Sequence, residues 1–258
     1  ADLPTFTQLT ATIPTPGELG STSGVTWAYV NRVTCNPTNA NMVAAATNTG
    51  LKISTDGGNT WSNCEGGGTP LSGITDDAKF DKEGYLHAIS SSQRKYYRSN
   101  NTADPATMDE LGEGLPVGST RRALAVAPSD NNYVYIYSAK TGTYGLQGIF
   151  QSTDKGANFV QISEDASDFF NPNGTSANIT WNVCIAVKPD NPERIYIGGQ
   201  IQSWTWDGAS GSWTPMTSSG YPAWYPKYIH ADQHFITFHP ENPEIMYFGS
   251  DGGVSRTT

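Results

Sequence analysis

Residues 33–61 read VTCNPTNANMVAAATNTGLKISTDGGNTW. An apolar stretch ends in the turn Asn36-Pro37-Thr38-Asn39, a second stretch MVAAAT follows, then a glycine turn, a third stretch LKIST and the tail DGGNTW. Short β-branched and aromatic runs suit a pleated, half-buried surface, and Pro, Asn, Asp and Gly clusters turn the chain between them. The segment therefore predicts three strands of an antiparallel meander, with a fourth beginning at Trp61.

The same layout recurs. ALAVAPSDNN, YVYIYSA, GIFQST and DKGANF form one copy; VCIAVKPDNPE, RIYIGGQ and a degenerate SWTWDGASGSW another; FITFHPENPE, IMYFGS, DGG and VSRTT a third. A weaker copy reads AKFDKEG, YLHAIS and YYRSN. The turn anchors Pro37, Asp81, Pro128, Pro189 and Pro240 are spaced by 44, 47, 61 and 51 residues, the period of a four-stranded propeller blade. The expectation is an all-β propeller of about five blades in one domain, with units at 27–66, 74–105, 119–165, 179–217 and 228–258. Thr5-Phe6-Thr7-Gln8-Leu9 resembles Asn158-Phe159-Val160-Gln161-Ile162. Either residues 4–10 close the fifth blade as its outer strand, or the chain is part of a larger propeller.

The composition agrees. In 258 residues there are 27 Gly, 16 Pro, 7 Trp and 13 Tyr, with only 15% charged residues, which suits a turn-dense β domain of exported type. The net charge of −9 argues against a nucleic-acid partner, and no run is apolar enough for a transmembrane segment. Cys35, Cys64 and Cys184 are too few and too scattered for a disulfide framework, and their pairing state stays open. Sequons at Asn100, Asn173 and Asn178 carry weight only in a eukaryotic secretory route.

Ser54, Asp56, Gly58 and Trp61, and again Ser152, Asp154, Gly156 and Phe159, match S-x-D-x-G-x-x-[WF]. The chain resembles the Asp-box, or BNR-repeat, β-propellers, a group that includes sialidases, sortilin-type propellers and xyloglucan hydrolases. It is most similar in feel to exported bacterial members, many of them type IX secretion cargo. The resemblance implies a structural role for the boxes, an exported or cell-surface location, and a binding or structural module for protein or glycan. Further blades or a secretion complex are the partners it implies. Its alternative is a glycoside hydrolase of xyloglucanase type, with enzymatic activity left uncertain. A sialidase is disfavoured, because no R-I-P segment occurs and the seven arginines offer no triad.

In a blade, starts of first strands share one face with the loops joining second and third strands, opposite the boxes. On that face His230, Asp232 and His234 alternate at i, i+2 and i+4, the spacing that points side chains to one side of an extended strand, with Asp251 in the facing loop. Three readings stay open: a divalent-metal site, an acid–base site, or a hydrogen-bonded polar plug. Other first-strand starts bring Trp27, Tyr29, Asn31 and Arg32, then Asp76 and Asp77, Arg121 and Arg122, and Trp181 and Asn182, a mixed-charge rim able to bind. Asp232 with Asp76 or Asp77 is the carboxylate pairing a glycosidase would need. Trp224, Tyr225 and Tyr228, in the aromatic stretch 220–228, either stack on a sugar or peptide or fill the seam between the last two blades.

Overall fold

The structure is a computed structural model that describes residues 5–13, 27, 29–93, 95–140, 145–163 and 182–257. These fall into two compact units, one within Ala1–Gln93 and Tyr97–Glu110, the other within Arg94–Tyr96 and Leu111–Thr258. The sequons at Asn173 and Asn178, and Trp181, lie outside the described residues.

The stretch from Val33 to Trp61 folds as expected: β1 (Val30–Asn36), β2 (Asn39–Thr47), β3 (Gly50–Ser54) and β4 (Ser62–Asn63) pair in that order, antiparallel. Its first hairpin is locked by the Asn36 side-chain oxygen, which accepts from the Thr38 amide and hydroxyl, both at 2.8 Å. Next come β5 (Glu65–Gly66), β6 (Thr69–Pro70), β7 (Asp77–Phe80), β8 (Leu86–Ser90), β9 (Lys95–Ser99) and β10 (Thr107–Leu111). They form one sheet in the order β6-β5-β10-β9-β8-β7, with β5 parallel to β10. The repeat reading ends this unit at 105 and so omits both its outer strand and the added hairpin.

Three further sheets follow: β11 (Ser119–Val126), β12 (Val134–Lys140), β13 (Leu146–Ser152) and β14 (Val160–Gln161); β15 (Cys184–Lys188), β16 (Asn191–Gly198), β17 (Gln202–Asp207) and β18 (Ser212–Ser218); and β19 (Gln233–His239), β20 (Asn242–Ser250) and β21 (Gly253–Arg256). With the two sheets above, these give the five blades read from the repeat, antiparallel except where β5 joins β10, and the last with three strands among the described residues. Their first strands lie side by side, β1 with β7 in one unit, and β11 with β15 and β15 with β19 in the other. Helix is limited, among the described residues, to one 3-10 turn at Thr10–Thr12, and none is long and apolar enough to cross a membrane.

Within each unit, apolar side chains fill the spaces between successive sheets. Ala44, Ala46, Leu51 and Ile53 pack with Ala78, Leu86 and Ala88; Tyr135, Tyr137 and Ile149 pack with Ile185, Val187, Ile195 and Trp206; Cys184 packs with Ile229, Ile236, Met246 and Phe248. Each large side chain buried this way contributes about 1.5–3 kcal/mol. Cys35 is exposed, Cys64 and Cys184 are buried, and none of the three is in a disulfide among the described residues.

Residues 5–9 carry no strand. Phe6 is 95% exposed, whereas Leu9, exposed in part, lies against Gly58 and beside Trp27 and Trp61. The apolar contact offered by the first box thus holds this segment in the first unit.

Candidate functional site

Between β18 and β19 the chain has no regular structure, because Pro222 and Pro226 lack amide donors and Gly220 favours a turn. Two successive turns form instead: the Tyr225 amide donates to Pro222 O and the Tyr228 amide to Tyr225 O, each at 2.8 Å. The loop is tied to β18 by the Ser218 amide donating to Lys227 O at 3.1 Å, and to the neighbouring β16–β17 loop by the Ser219 amide donating to Ile201 O at 2.9 Å.

This path turns the aromatic rings outward. Trp224 is 81% exposed, with Tyr221 and Tyr225 exposed beside it. Tyr225 lies 4.7 Å from Tyr221 and 6.3 Å from Trp224, centroid to centroid. Of the sequence-predicted aromatics, Trp224 and Tyr225 are thus brought together on the surface and do not fill a seam. Tyr228 is half-buried and lines an adjoining cavity of about 420 Å³. Its floor is apolar, built from Met216, Ile229 and Phe248, and its walls carry Lys227 and Arg256. Neither cation stands out in the sequence, since one ends a loop and the other lies in the last strand.

The histidine cluster does not assemble as strand alternation predicts. Strand β19 begins only at Gln233, and Asp232 has φ +60°, a left-handed conformation that breaks the alternation. That backbone is held by the Asp232 amide donating to Gln200 O at 2.7 Å and the Asp251 amide donating to Asp232 O at 3.2 Å. His234 and Asp251 do meet, at 2.6 Å in an exposed pair. Asp232 instead accepts from the Asn182 carboxamide, and His230 pairs through Nδ1 with Ala231 O at 3.0 Å while its ring lies over Gly252. Among the described residues no group of three or more His, Cys, Asp or Glu is placed to hold a metal ion. His239 turns away, its Nδ1 accepting from the Glu241 amide at 3.1 Å. Sequence reading also missed Gln233, which is fully buried with neither carboxamide atom partnered among the described residues.

The expected mixed-charge rim is largely interior. Asp76 is buried and accepts from the Ser91 amide and hydroxyl at 2.5 and 3.0 Å. Buried Asp77 pairs with Arg32 at 3.0 Å and caps the Ala78 amide at 2.9 Å. Arg122 is 1% exposed and donates to Ser138 Oγ and Pro116 O, whereas its neighbour Arg121 is half-buried. Burying charge is costly unless it is paired, so these groups are taken up in structural contacts, Asp76 and Arg122 within their own blades and Asp77 with Arg32 of the neighbouring one.

The two serine-aspartate segments form matching turns. Ser54 Oγ donates to Asp56 at 2.8 Å and accepts from the Gly58 amide at 2.8 Å; Ser152 does the same toward Asp154 and Gly156 at 2.7 and 2.8 Å. The aromatics pack edge-on against a neighbouring ring, half-buried Trp61 on Trp27 at 4.9 Å and buried Phe159 on Tyr96 at 5.4 Å.

Neither a protein-family model nor a curated protein sequence matches the chain. Among solved structures it is similar to an ancestral GH74 enzyme, with TM-score 0.62 and 15% identity over 88% of this chain and 30% of that one. It is also similar to the GH74 xyloglucanase from Xanthomonas campestris, with TM-score 0.60 and 16% identity over 89% and 36% of the two chains. A third likeness is to an auxiliary nutrient binding protein from Bacteroides thetaiotaomicron VPI-5482, with TM-score 0.57 and 13% identity over 89% and 59%. The fold is that of a β-propeller. This β-propeller chain spans about a third of the length of the GH74 enzymes it matches, and at such identities the likeness is one of fold.

Proposed function

We propose that the chain is an exported or cell-surface glycan-binding module, with Tyr221, Trp224 and Tyr225 as its stacking platform. The observation that carries this reading is the exposure of Trp224, 81%, on a loop whose backbone is fixed by hydrogen bonds at both ends. Large aromatic surface is costly to leave in water, and a sugar's apolar face covers it without displacing polar partners. A prearranged platform also lowers the ordering cost of binding. Against hydrolysis count the separate structural partners of Asp76, Asp77 and Asp232. Calorimetric titration with cello- and xyloglucan oligosaccharides tests the reading. Trp224→Ala should weaken binding about tenfold, the worth of one good aromatic contact, without lowering the melting temperature. Unchanged affinity, or loss of Tm in step with affinity, would count against it; sugar release by the wild type that Asp232→Asn abolishes would favour the hydrolase.

A further inference from the structure

Resting on that glycan reading, we infer that the preferred ligand is an acidic one, a uronic-acid oligosaccharide whose carboxylate enters the cavity between Lys227 and Arg256. The chain carries 24 acidic and 15 basic residues, so its general field repels anions. The cavity reverses that sign: among the described residues two cations line it and no carboxylate does. Elsewhere several basic side chains are engaged, Arg32 with Asp77, Arg194 with Asp207, and Lys188 with Asp190 and Glu244. Lys227 and Arg256, by contrast, make no ion pair or side-chain hydrogen bond with any described residue, and both are exposed at their cavity.

The remaining lining suits a sugar acid. Hydroxyls of Ser255 and Tyr228 can exchange hydrogen bonds with ring hydroxyls, over the apolar floor already described. The volume of about 420 Å³ falls within the roughly 300–1,000 Å³ of small-molecule sites. Arg256 supplies a planar fork matched to a carboxylate, and Lys227 a mobile point charge. Position links cavity to platform, because Lys227 is two residues from Tyr225 and Tyr228 is hydrogen-bonded to it. A chain of sugars stacked on Trp224 can therefore place a neighbouring acidic ring at the cavity mouth.

The test compares an oligogalacturonate with a cello-oligosaccharide of equal length, using wild type, Lys227→Gln/Arg256→Gln and Trp224→Ala, each checked for an unchanged melting temperature. The acidic oligomer should bind wild type at least about tenfold more tightly at low salt, and the difference should fade near about 0.5 M NaCl, where the screening length falls below about 5 Å. The double variant should bind both sugars equally, at the wild-type affinity for the neutral one. Equal binding of the two sugars by wild type, or an acid preference that survives the double substitution, overturns the inference and leaves the glycan platform standing. Binding of neither sugar removes both. A poly-glutamate peptide bound as tightly as the oligogalacturonate would assign the cations to acidic peptides and overturn the sugar.

Discussion

At the scale of single residues, the box carboxylates act as caps for their own turns. The Thr60 hydroxyl and amide, with the Ser54 hydroxyl, hold Asp56 below its ordinary 3.8, at about 2. A carboxylate depressed in the native state contributes stability above its unfolded value and loses it as pH falls through the folded one. Stability should therefore drop between about pH 4 and pH 2, and Asp56→Asn should drop less over that window in acid-induced unfolding followed by fluorescence. Asp154 lies in the matching turn; partial burial pushes its pKa up, but Asn158 and Ser152 together bring it below the ordinary value. At the next position the two turns differ: Gly57 has φ +73° and Lys155 φ +64°, the same left-handed conformation at different cost. Lys155→Gly should raise stability by up to about 1 kcal/mol, the left-handed penalty less the entropy of glycine, measurable by urea denaturation. One exposed pair, His234 with Asp251, is worth only about 0–1 kcal/mol. His234→Ala should leave the melting temperature nearly unchanged, and a chelator should not alter it in the wild type; a chelator-dependent shift would restore the metal reading.

Among the elements, the second sheet solves its turn differently from the others. Where most blades carry a proline, Asp81 accepts from the Glu83 and Tyr85 amides at 2.9 Å and meets His87 Nε2 at 3.2 Å. Arg98 stands 4.0 Å from the same carboxylate and lies over the Tyr85 ring at 3.9 Å. Burial above all, with the Arg98 charge, holds His87 below its ordinary 6.5 against the pull of Asp81. The native chain then binds fewer protons here than the unfolded one, so stability is whole above about pH 6.5 and declines below it. In thermal melts from pH 7 to 5, His87→Gln should flatten this decline while lowering the starting stability. The third blade makes a steric prediction. A Cβ on Gly156 would fall 2.1 Å from Tyr96 Cε1, so Gly156→Ala should destabilise by about 1–3 kcal/mol from overpacking alone.

For the whole molecule, the described helix is a single three-residue turn, so far-ultraviolet circular dichroism should lack a helical double minimum. Strand order within the regular blades and their hairpin positions were legible because their causes are local, whereas the strands added to the second sheet by a parallel, long-range pairing were not. Alternation, β-branched runs and turn residues act within a few positions, and Asn36, Ser54 and Asp56 bond to amides two to four residues away. Less of the candidate site was legible. Aromatic density marked Trp224 and Tyr225, but spacing alone placed Asp232 in a strand that starts one residue later, and put buried Asp76, Asp77 and Arg122 on a rim. By itself the sequence determined an all-β repeat, its turns and its overall negative charge, each a property of neighbours along the chain or of composition. Only the tertiary structure decided which polar groups are interior and which cations share a cavity. Lys227 and Arg256, 29 residues apart, line one hollow because the loop after β18 folds back beside β21, and non-local packing of this kind leaves no periodic trace in a single sequence.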